Sequence, residues 1–219
     1  MALILNIETA TKVCSVSLAL DGKMIALKEE SSDKYIHSEK LNLFIEDLFK
    51  QVNFELNDLS AVCVSKGPGS YTGLRIGVSS AKGLCYALDI PLISIDSLSV
   101  LANGFLAENN VEADTLIIPM IDARRMEVFT ATFSNHGILM EEISAKVIDV
   151  DTYSSDKKII LIGDGAEKCK EVIPEYVSIE KHLSSSKGIV EMAYKKFLAN
   201  EFEDVAYFEP FYLKDFIAG

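Results

Sequence analysis

Apolar and polar positions alternate over the first thirty residues in a way that predicts strands. Residues 2–7 form an apolar run, and residues 14–20 alternate small polar and apolar side chains. Asp21-Gly22 is a strong two-residue turn signal, and residues 23–28 continue the strand pattern after it. The chain is therefore predicted to open with a strand, a turn at residues 9–12 and a hairpin.

The pattern then changes to alternating helices and strands. Residues 36–52 and 71–88 carry apolar side chains at helical spacing, whereas residues 61–65 and 92–95 are short apolar runs typical of buried strands. Residues 96–108 are predicted to form a third helix. Strand, helix and strand in succession indicate an α/β fold.

A second, similar cycle follows. Its predicted strands, loops and helices follow one another in an order that resembles that of the first half. Its strands are predicted at residues 115–121, 127–133, 146–150 and 158–162, with a loop and short helix at 163–172, a helix at 187–199 and an extended segment at 205–216. We therefore expect two related halves with mixed sheets, residues 1–100 and 101–219. Because ligands usually bind in the cleft between two packed halves, we expect a ligand site there.

The composition describes an acidic globular protein. The chain has 219 residues, 49% of them hydrophobic, and a formal net charge of −12. The apolar fraction excludes a disordered chain, and the charge argues against a protein that holds nucleic acid by its own field. Residues 1–110 carry −4 of this charge and residues 111–219 carry −8.

The cysteines and the N-terminus predict a cytoplasmic location. Cys14, Cys63, Cys85 and Cys169 form no C-x-x-C pair, and three of them stand among apolar neighbours, which is typical of buried thiols in a reducing compartment. The first residues lack the basic region of a signal peptide, and no apolar stretch is long enough for a membrane helix.

A glycine-rich loop, Ser65-Lys-Gly-Pro-Gly-Ser-Tyr-Thr-Gly-Leu-Arg-Ile-Gly, joins a predicted strand to a predicted helix. Such a junction can hold phosphate, but Thr72 stands where both standard phosphate patterns starting at Gly67 require glycine. Ser70 is expected to cap the helix. A second strand, turn and helix at Gly163-Asp-Gly165 is acidic and would repel an anion.

The helix of residues 71–88 has a stripe of mostly small residues. Gly73 and Gly77 each cost about 1 kcal/mol relative to alanine inside a helix. Close approach of another helix would offset this cost. The residues alone leave open whether that helix belongs to the same chain or to another one.

The candidates for chemistry are few. Glu8 and Thr9, at a strand end, could coordinate a hydrated cation or phosphate in a cleft, although an ordinary polar turn is the simpler interpretation. His37 is followed four residues later by Leu41, and one imidazole does not hold a metal. His37 is therefore expected to be a surface or cap residue at the helix start. No G-x-S-x-G elbow is present.

Four motifs together resemble the TsaB (YeaZ) family. They are Ile7-Glu-Thr-Ala-Thr11, Lys66-Gly-Pro-Gly-Ser-Tyr-Thr-Gly-Leu-Arg-Ile-Gly77, Ile121-Asp-Ala-Arg124 with Glu127-Val128, and Glu209-Pro-Phe-Tyr-Leu213. The resemblance implies an actin/Hsp70-like (ASKHA) fold of two duplicated halves and a role in making threonylcarbamoyladenosine beside the tRNA anticodon. Lys214 stands where the family more often has arginine.

The resemblance also implies how the protein works. It predicts a non-catalytic scaffold that binds the transferase TsaD, with the ATPase TsaE joining them, a homodimer when alone, and tRNA bound only through the complex. No cofactor or metal of its own is expected, since ATP, ADP and metal belong to the partner subunits. The expected partner interface comprises Leu41, Ile45, Phe49, Gly73, Arg75, Ile76, Gly77, Ser80 and Leu84. The expected degenerate cleft comprises Glu8, Thr9, Asp122, Arg124, Gly163 and Gly165.

Two other functions stay open at this point. One is an active ASKHA-type enzyme, either a kinase or a metal-dependent peptidase, which the interdomain cleft would serve. The other is a chaperone-like or regulatory binding module, for which the acidic surface is the one supporting feature.

Overall fold

Two five-stranded mixed sheets form the framework of the protein. The computed structural model describes residues 1–33, 36–149, 152–153, 157–174 and 177–214. The first sheet has the strand order β3-β2-β1-β4-β5. Its strands are β1 (Leu3–Glu8), β2 (Val13–Leu20), β3 (Lys23–Ser31), β4 (Ala61–Ser65) and β5 (Leu92–Ile95).

The second sheet repeats the first. Its order is β8-β7-β6-β9-β10, and its strands are β6 (Leu116–Asp122), β7 (Glu127–Ser134), β8 (Leu139–Val147), β9 (Ile159–Ile162) and β10 (Val177–Glu180). In both sheets the first strand pairs antiparallel with the second and parallel with the fourth. This correspondence confirms the predicted duplication.

Within the described ranges, four α-helices lie against these sheets. They are α1 (His37–Phe49), α2 (Tyr71–Leu88), α3 (Ser97–Glu108) and α4 (Val190–Ala199), and short 3₁₀ turns occupy Leu56–Asp58, Glu167–Cys169 and Ser186–Ile189. The predicted bounds of α2 are confirmed, α1 ends three residues earlier than predicted, and the helix predicted at 187–199 begins with a 3₁₀ turn. No helix in the described ranges is long and apolar enough to cross a membrane.

Three sequence-based expectations differ from the structure. Strand β8 is expected only near residues 146–150, whose last residue lies outside the described part, and β10 is not expected. The segment predicted to be extended at 205–216 instead contains a turn at 205–207 and then crosses α2 as an irregular strap; residues 215 and 216 lie outside the described part.

The two faces of the first sheet pack against different parts of the chain. Leu3, Leu5 and Ile7 face a core shared with α1 and α2, while Ile4, on the opposite face, belongs to a core that includes Ala193 of α4. Because successive strand residues point to opposite faces, both faces are apolar and both need cover. The chain therefore returns from the second half to pack on the first sheet.

Candidate functional site

A cleft of about 580 Å³ separates the two halves. Three parts of the chain form its walls: the turn after β1 with the start of α2, the end of β6 with Asp164, and the C-terminal strap. The lining residues are Ala10 to Lys12, Pro68 to Thr72, Ile121 to Arg124, Phe129, Asp164, and Phe211 to Lys214.

The glycine-rich loop holds the start of α2 against the turn after β1. The Ser70 amide donates to the Ala10 carbonyl at 2.7 Å, and the Ser70 hydroxyl accepts a hydrogen bond from the Gly73 amide at 3.2 Å. Ser70 is thus the N-cap, as predicted. The 18-residue helix consequently directs its N-terminus toward the cleft.

The opposite wall is a network around two carboxylates. Asp164 Oδ1 accepts a hydrogen bond from the Asp122 amide at 3.0 Å, and burial raises the pKa of Asp164. Asp122 Oδ1 accepts from the Arg124 amide at 2.9 Å and also binds the Lys168 ammonium. Arg124 and the adjacent Arg125 both have positive φ angles, 71° and 51°, which are uncommon for residues other than glycine.

The C-terminal strap closes the third side of the cleft. The Phe211 amide donates to the Lys66 carbonyl at 2.7 Å. The Tyr212 ring lies 4.6 Å from the Tyr71 ring, centroid to centroid. At the far side, Lys214 forms an ion pair with Glu127 of β7 at 2.6 Å. The strap therefore contacts both halves of the protein.

Arg75 joins the strap to α2 through both tyrosines. Its Nε donates to the Tyr212 hydroxyl at 3.2 Å and its Nη2 to the Tyr71 hydroxyl at 2.5 Å. Its guanidinium also lies 4.2 Å from the centre of the Tyr71 ring, a cation–π distance. Arg75 is one of the residues expected in the partner interface; the structure fixes it in this cluster beside the cleft.

Glu8 lies beneath the cleft rather than in its wall. Its carboxylate is fully buried, and Oε1 accepts from the Ala10 amide at 2.6 Å. Desolvation raises the pKa of Glu8 to about 7, and nearby Ser65 and Ser184 oppose that rise. Oε2 and both serine hydroxyls have no hydrogen bond of normal geometry among the described residues. Glu8 is therefore a buried group that titrates near neutral pH.

Of the six residues expected in the cleft, the structure brings only Asp122 and Arg124 to its surface. Glu8 and Thr9 are buried below it. A Cβ at Gly163 would overlap the Met120 carbonyl, and one at Gly165 would lie 3.0 Å from the Ile121 carbonyl carbon. These two glycines allow the turn after β9 to pack against β6, so their role is structural.

The expectation for His37 is wrong. His37 does begin α1, but its side chain is buried, with 1% exposed. Burial lowers the pKa of His37, and hydrogen bonding with the backbone of Thr9, Thr11 and Val13 opposes that shift. The imidazole thus supports the turn after β1 from inside the protein.

The two α2 glycines that are expected in the partner interface make close contacts within the chain itself, and their contact with another chain stays a prediction. A Cβ on Gly73 would overlap the carbonyl oxygen of Thr9, and a Cβ on Gly77 would overlap its hydroxyl. The glycines therefore allow α2 to pack against the end of β1. A helical stripe of small residues shows which face packs closely, but not what covers that face.

The remaining residues of the expected partner interface differ in how deeply they are buried. Leu41 and Ile45 are buried in the first core. Phe49, Ile76 and Leu84 are half-buried and pack against it, and Ser80 is also half-buried. Leu41 and Ile45 therefore stabilise the protein itself, whereas the others reach the surface in part.

The residues that stand out most on the surface of α2 are missed by sequence reasoning. A Cβ added at Gly83 would have no atom of the described residues within 4 Å of it, and Tyr86 is 86% exposed. On α1, Leu43 is 53% exposed. The helical spacing from Ser79 to Gly83 is the signal that could reveal this face, because residues four apart lie one above the other.

Two further expectations concern reactive and metal-binding groups. All four cysteines are buried and free, and burial raises the pKa of Cys14 to about 12 and of Cys85 to about 11. The prediction of buried thiols is confirmed. In the described ranges, no group of three or more His, Cys, Asp or Glu side chains could hold a metal ion.

Known proteins resemble this chain over most of its length. Residues 30–218 match the family model described as TsaD: tRNA N6-adenosine threonylcarbamoyltransferase. The chain is 30% identical over 189 residues to the tRNA threonylcarbamoyladenosine biosynthesis protein TsaB of Bacillus subtilis, covering 84% of this chain and 80% of that protein. It is 27% identical over 226 residues to the Escherichia coli protein of the same name, covering 98% and 96%.

Solved structures show the same fold. YeaZ from Pseudomonas aeruginosa superposes with a TM-score of 0.84 at 23% identity, covering 97% of this chain and all of that one. Component A of (R)-2-hydroxyglutaryl-CoA dehydratase from Acidaminococcus fermentans superposes with a TM-score of 0.50 at 10% identity, covering 90% and 98%. With the duplicated sheets, these similarities confirm the actin/Hsp70-like fold.

Proposed function

Because the chain belongs to the TsaB family, we propose that it is a non-catalytic subunit of the complex that transfers threonylcarbamoyl to adenosine next to the tRNA anticodon. It acts by binding a TsaD transferase and holding it in an active form. The family membership supports the pathway, and the surface of α2 supports the mode of action.

The outer face of α2 is the observation that carries this proposal. We define it as Ile76, Ser79, Ser80, Gly83 and Tyr86, which recur at helical spacing and are exposed or half-buried. A glycine within a helix costs about 1 kcal/mol, and Gly83 relieves no overlap with the part of the chain that the structure describes. Small residues beside an exposed tyrosine suit close packing against a helix of another protein.

The partner is a TsaD-type subunit of the same fold. Residues 30–218 match the family model named for TsaD, so a TsaD subunit has its own counterparts of α1 and α2. Two such helix pairs can pack against each other by the same ridges and grooves. In the absence of TsaD a second copy of the chain takes its place, and TsaE and tRNA join the assembled complex in the cytoplasm.

In this proposal the partner subunits bind the nucleotide and the metal and carry out the transfer reaction. Leu41, where a second helical histidine would be needed, packs in the hydrophobic core. Asp164 puts a carboxylate into the loop where a phosphate would otherwise lie. We therefore expect ATP, ADP and metal to be bound by the partners, and calorimetry of the isolated chain should detect no magnesium-dependent ATP turnover. Such turnover would instead favour an active kinase or peptidase of this fold.

The experiment is a binding titration with purified TsaD. Gly83→Leu adds a side chain where this protein has open space, so the variant should keep its melting temperature and weaken TsaD binding by about tenfold or more. Lys195→Leu, at an exposed position of α4, is the control and should bind normally. Equal binding by Gly83→Leu and the unmodified chain would contradict the proposed interface.

Gly73→Leu and Gly77→Leu cannot be used to test the proposed interface with TsaD. Their side chains would overlap Thr9 within the protein, so weaker binding would report unfolding. Tyr86→Ala provides the second surface variant, because the tyrosine is 86% exposed and its removal disturbs no core contact.

A further inference from the structure

Arginine is rare in this chain and concentrated at one place. Of its 21 basic residues only Arg75, Arg124 and Arg125 are arginines. Arg124 lines the interdomain cleft, Arg125 follows it directly, and Arg75 binds Tyr71 and Tyr212 in the cleft wall. Arginine differs from lysine in its planar fork of N–H donors, which binds phosphate at two points and stacks on flat rings.

The cleft also has an aromatic lining. Tyr71, Phe129, Phe211 and Tyr212 all contribute to its walls, and the Tyr71–Arg75 stack is already formed. The two hydrogen bonds to tyrosine use two of the five guanidinium donors of Arg75. Aromatic rings beside arginines are the recurring means of holding unpaired bases and their phosphates.

The charged side chains near the cleft are only partly paired with one another. Asp122 is paired with Lys168, Glu127 with Lys214, and Asp164 accepts the Asp122 amide. By contrast, the side chains of Arg124 and Arg125 form no ion pair within the ranges that the structure describes, whereas the charge of Lys12 opposes the rise in the pKa of Asp164. The cleft lining thus has three cations, Lys12, Arg124 and Lys214, and two carboxylates, Asp122 and Asp164, on a chain whose net charge is −12.

The backbone conformation of the two adjacent arginines also supports a binding site at the cleft mouth. Arg124 and Arg125 are consecutive residues with positive φ, held by the bond from the Arg124 amide to Asp122. Such conformations are unfavourable for side chains larger than glycine, and they persist mainly where a site requires them. A turn that only reversed the chain between β6 and β7 would be served better by glycine.

We propose that the mouth of this cleft binds an unpaired segment of RNA. Arg124, Arg125 and Lys12 contact phosphates, and the cluster of Tyr71, Arg75 and Tyr212 provides a surface on which a base stacks. The inference rests on the proposed function in that the RNA is the tRNA substrate, and it gives the chain a direct contact with that RNA in addition to binding TsaD.

The test measures binding of a fluorescent anticodon stem-loop, by the chain alone in low salt and by its complex with TsaD. Arg124→Gln/Arg125→Gln should weaken binding about tenfold or more. It should also reduce the slope of log affinity against log salt by about 0.7 for each phosphate that is no longer neutralised. Lys158→Ala/Lys195→Ala removes the same charge from exposed sites elsewhere and should have a much smaller effect.

The outcomes separate this inference from the proposed function. Normal RNA binding by the glutamine variant, an equally weakened lysine control, or binding of free AMP without affinity for the stem-loop would each overturn the inference. So would a failure of the unmodified chain to bind the stem-loop both alone and with TsaD. TsaD binding by the same variants is measured separately and should be unchanged, because the α2 outer face is intact.

Discussion

Gly77 of α2 and Thr9 at the end of β1 lie so close together that no Cβ could stand between them. The contact fixes the helix against the turn that leads into the cleft. It also explains why glycine occupies the interior of a helix at that position in spite of its unfavourable helix propensity.

Gly77→Ala should therefore destabilise the protein by about 2 kcal/mol, the usual range for overpacking a core. Chemical denaturation would measure the change in the free energy of unfolding. Thr9→Ala combined with Gly77→Ala should recover much of that stability, because the overlapping atom is the Thr9 hydroxyl oxygen. Additive effects in that double-mutant cycle would contradict the contact.

Gly83→Ala should have the opposite effect on stability. No described residue lies within 4 Å of the added methyl group, and the backbone is helical. Replacing glycine there should raise the free energy of unfolding by about 0.5–1 kcal/mol. A decrease measured by the same denaturation would show that this position is constrained within the chain itself.

Glu8 should make stability depend on pH between about 4.5 and 7. Its folded-state pKa of about 7 lies above the ordinary 4.5, so the folded chain holds an extra proton in that interval. The contribution to stability is complete below pH 4.5 and is lost as the pH rises to 7, a decrease of about 3 kcal/mol.

Glu8→Gln isolates this contribution. The amide oxygen can still accept from the Ala10 amide and does not ionise. The variant should match the unmodified protein near pH 4.5 and exceed its stability at pH 8. Burial lowers the pKa values of His37 and His182, which costs stability below pH 6.5 in both proteins, so their effect cancels. A difference that does not change with pH would contradict the assignment.

Ser186→Ala should weaken the connection between the returning chain and β2. The Ser15 and Ser186 hydroxyls lie 2.9 Å apart in a buried setting, and the Ser186 amide donates to Ser15 at 3.0 Å. Removing one such hydrogen bond costs about 1 kcal/mol. The denaturation midpoint should fall with an unchanged slope, while the exposed control Ser79→Ala should show little change.

Local signals explain which elements can be predicted. Helix α2 is predicted at its correct bounds because Ser70 caps it and its apolar positions recur at helical spacing. Strand β8 is largely missed because it is an edge strand whose first four residues are exposed. Without a buried face, its sequence does not alternate between apolar and polar residues. An edge strand of this kind depends on its neighbour β7 for its conformation.

A site residue can be predicted from the sequence only where the motif that indicates it and the residues that it contacts lie in the same segment. Asp122 and Arg124 belong to a single motif, and both line the cleft. The strap residue Tyr212 is 137 positions from Arg75, with which it forms a hydrogen bond, and no local pattern relates the two. Likewise, helical spacing identifies the face of Gly73 and Gly77 but cannot identify Thr9 as its cover.

The return of α4 to the first sheet sets the order in which the protein can be completed during synthesis. Ile4, Ala61 and Ile93 emerge from the ribosome early, yet Ile189 and Ala193, which share their core, are made more than ninety positions later. Until α4 is available, one face of the first sheet is an exposed apolar surface of the kind that promotes aggregation. The core on this face of the first sheet therefore cannot be completed before the residues of α4 have been synthesised.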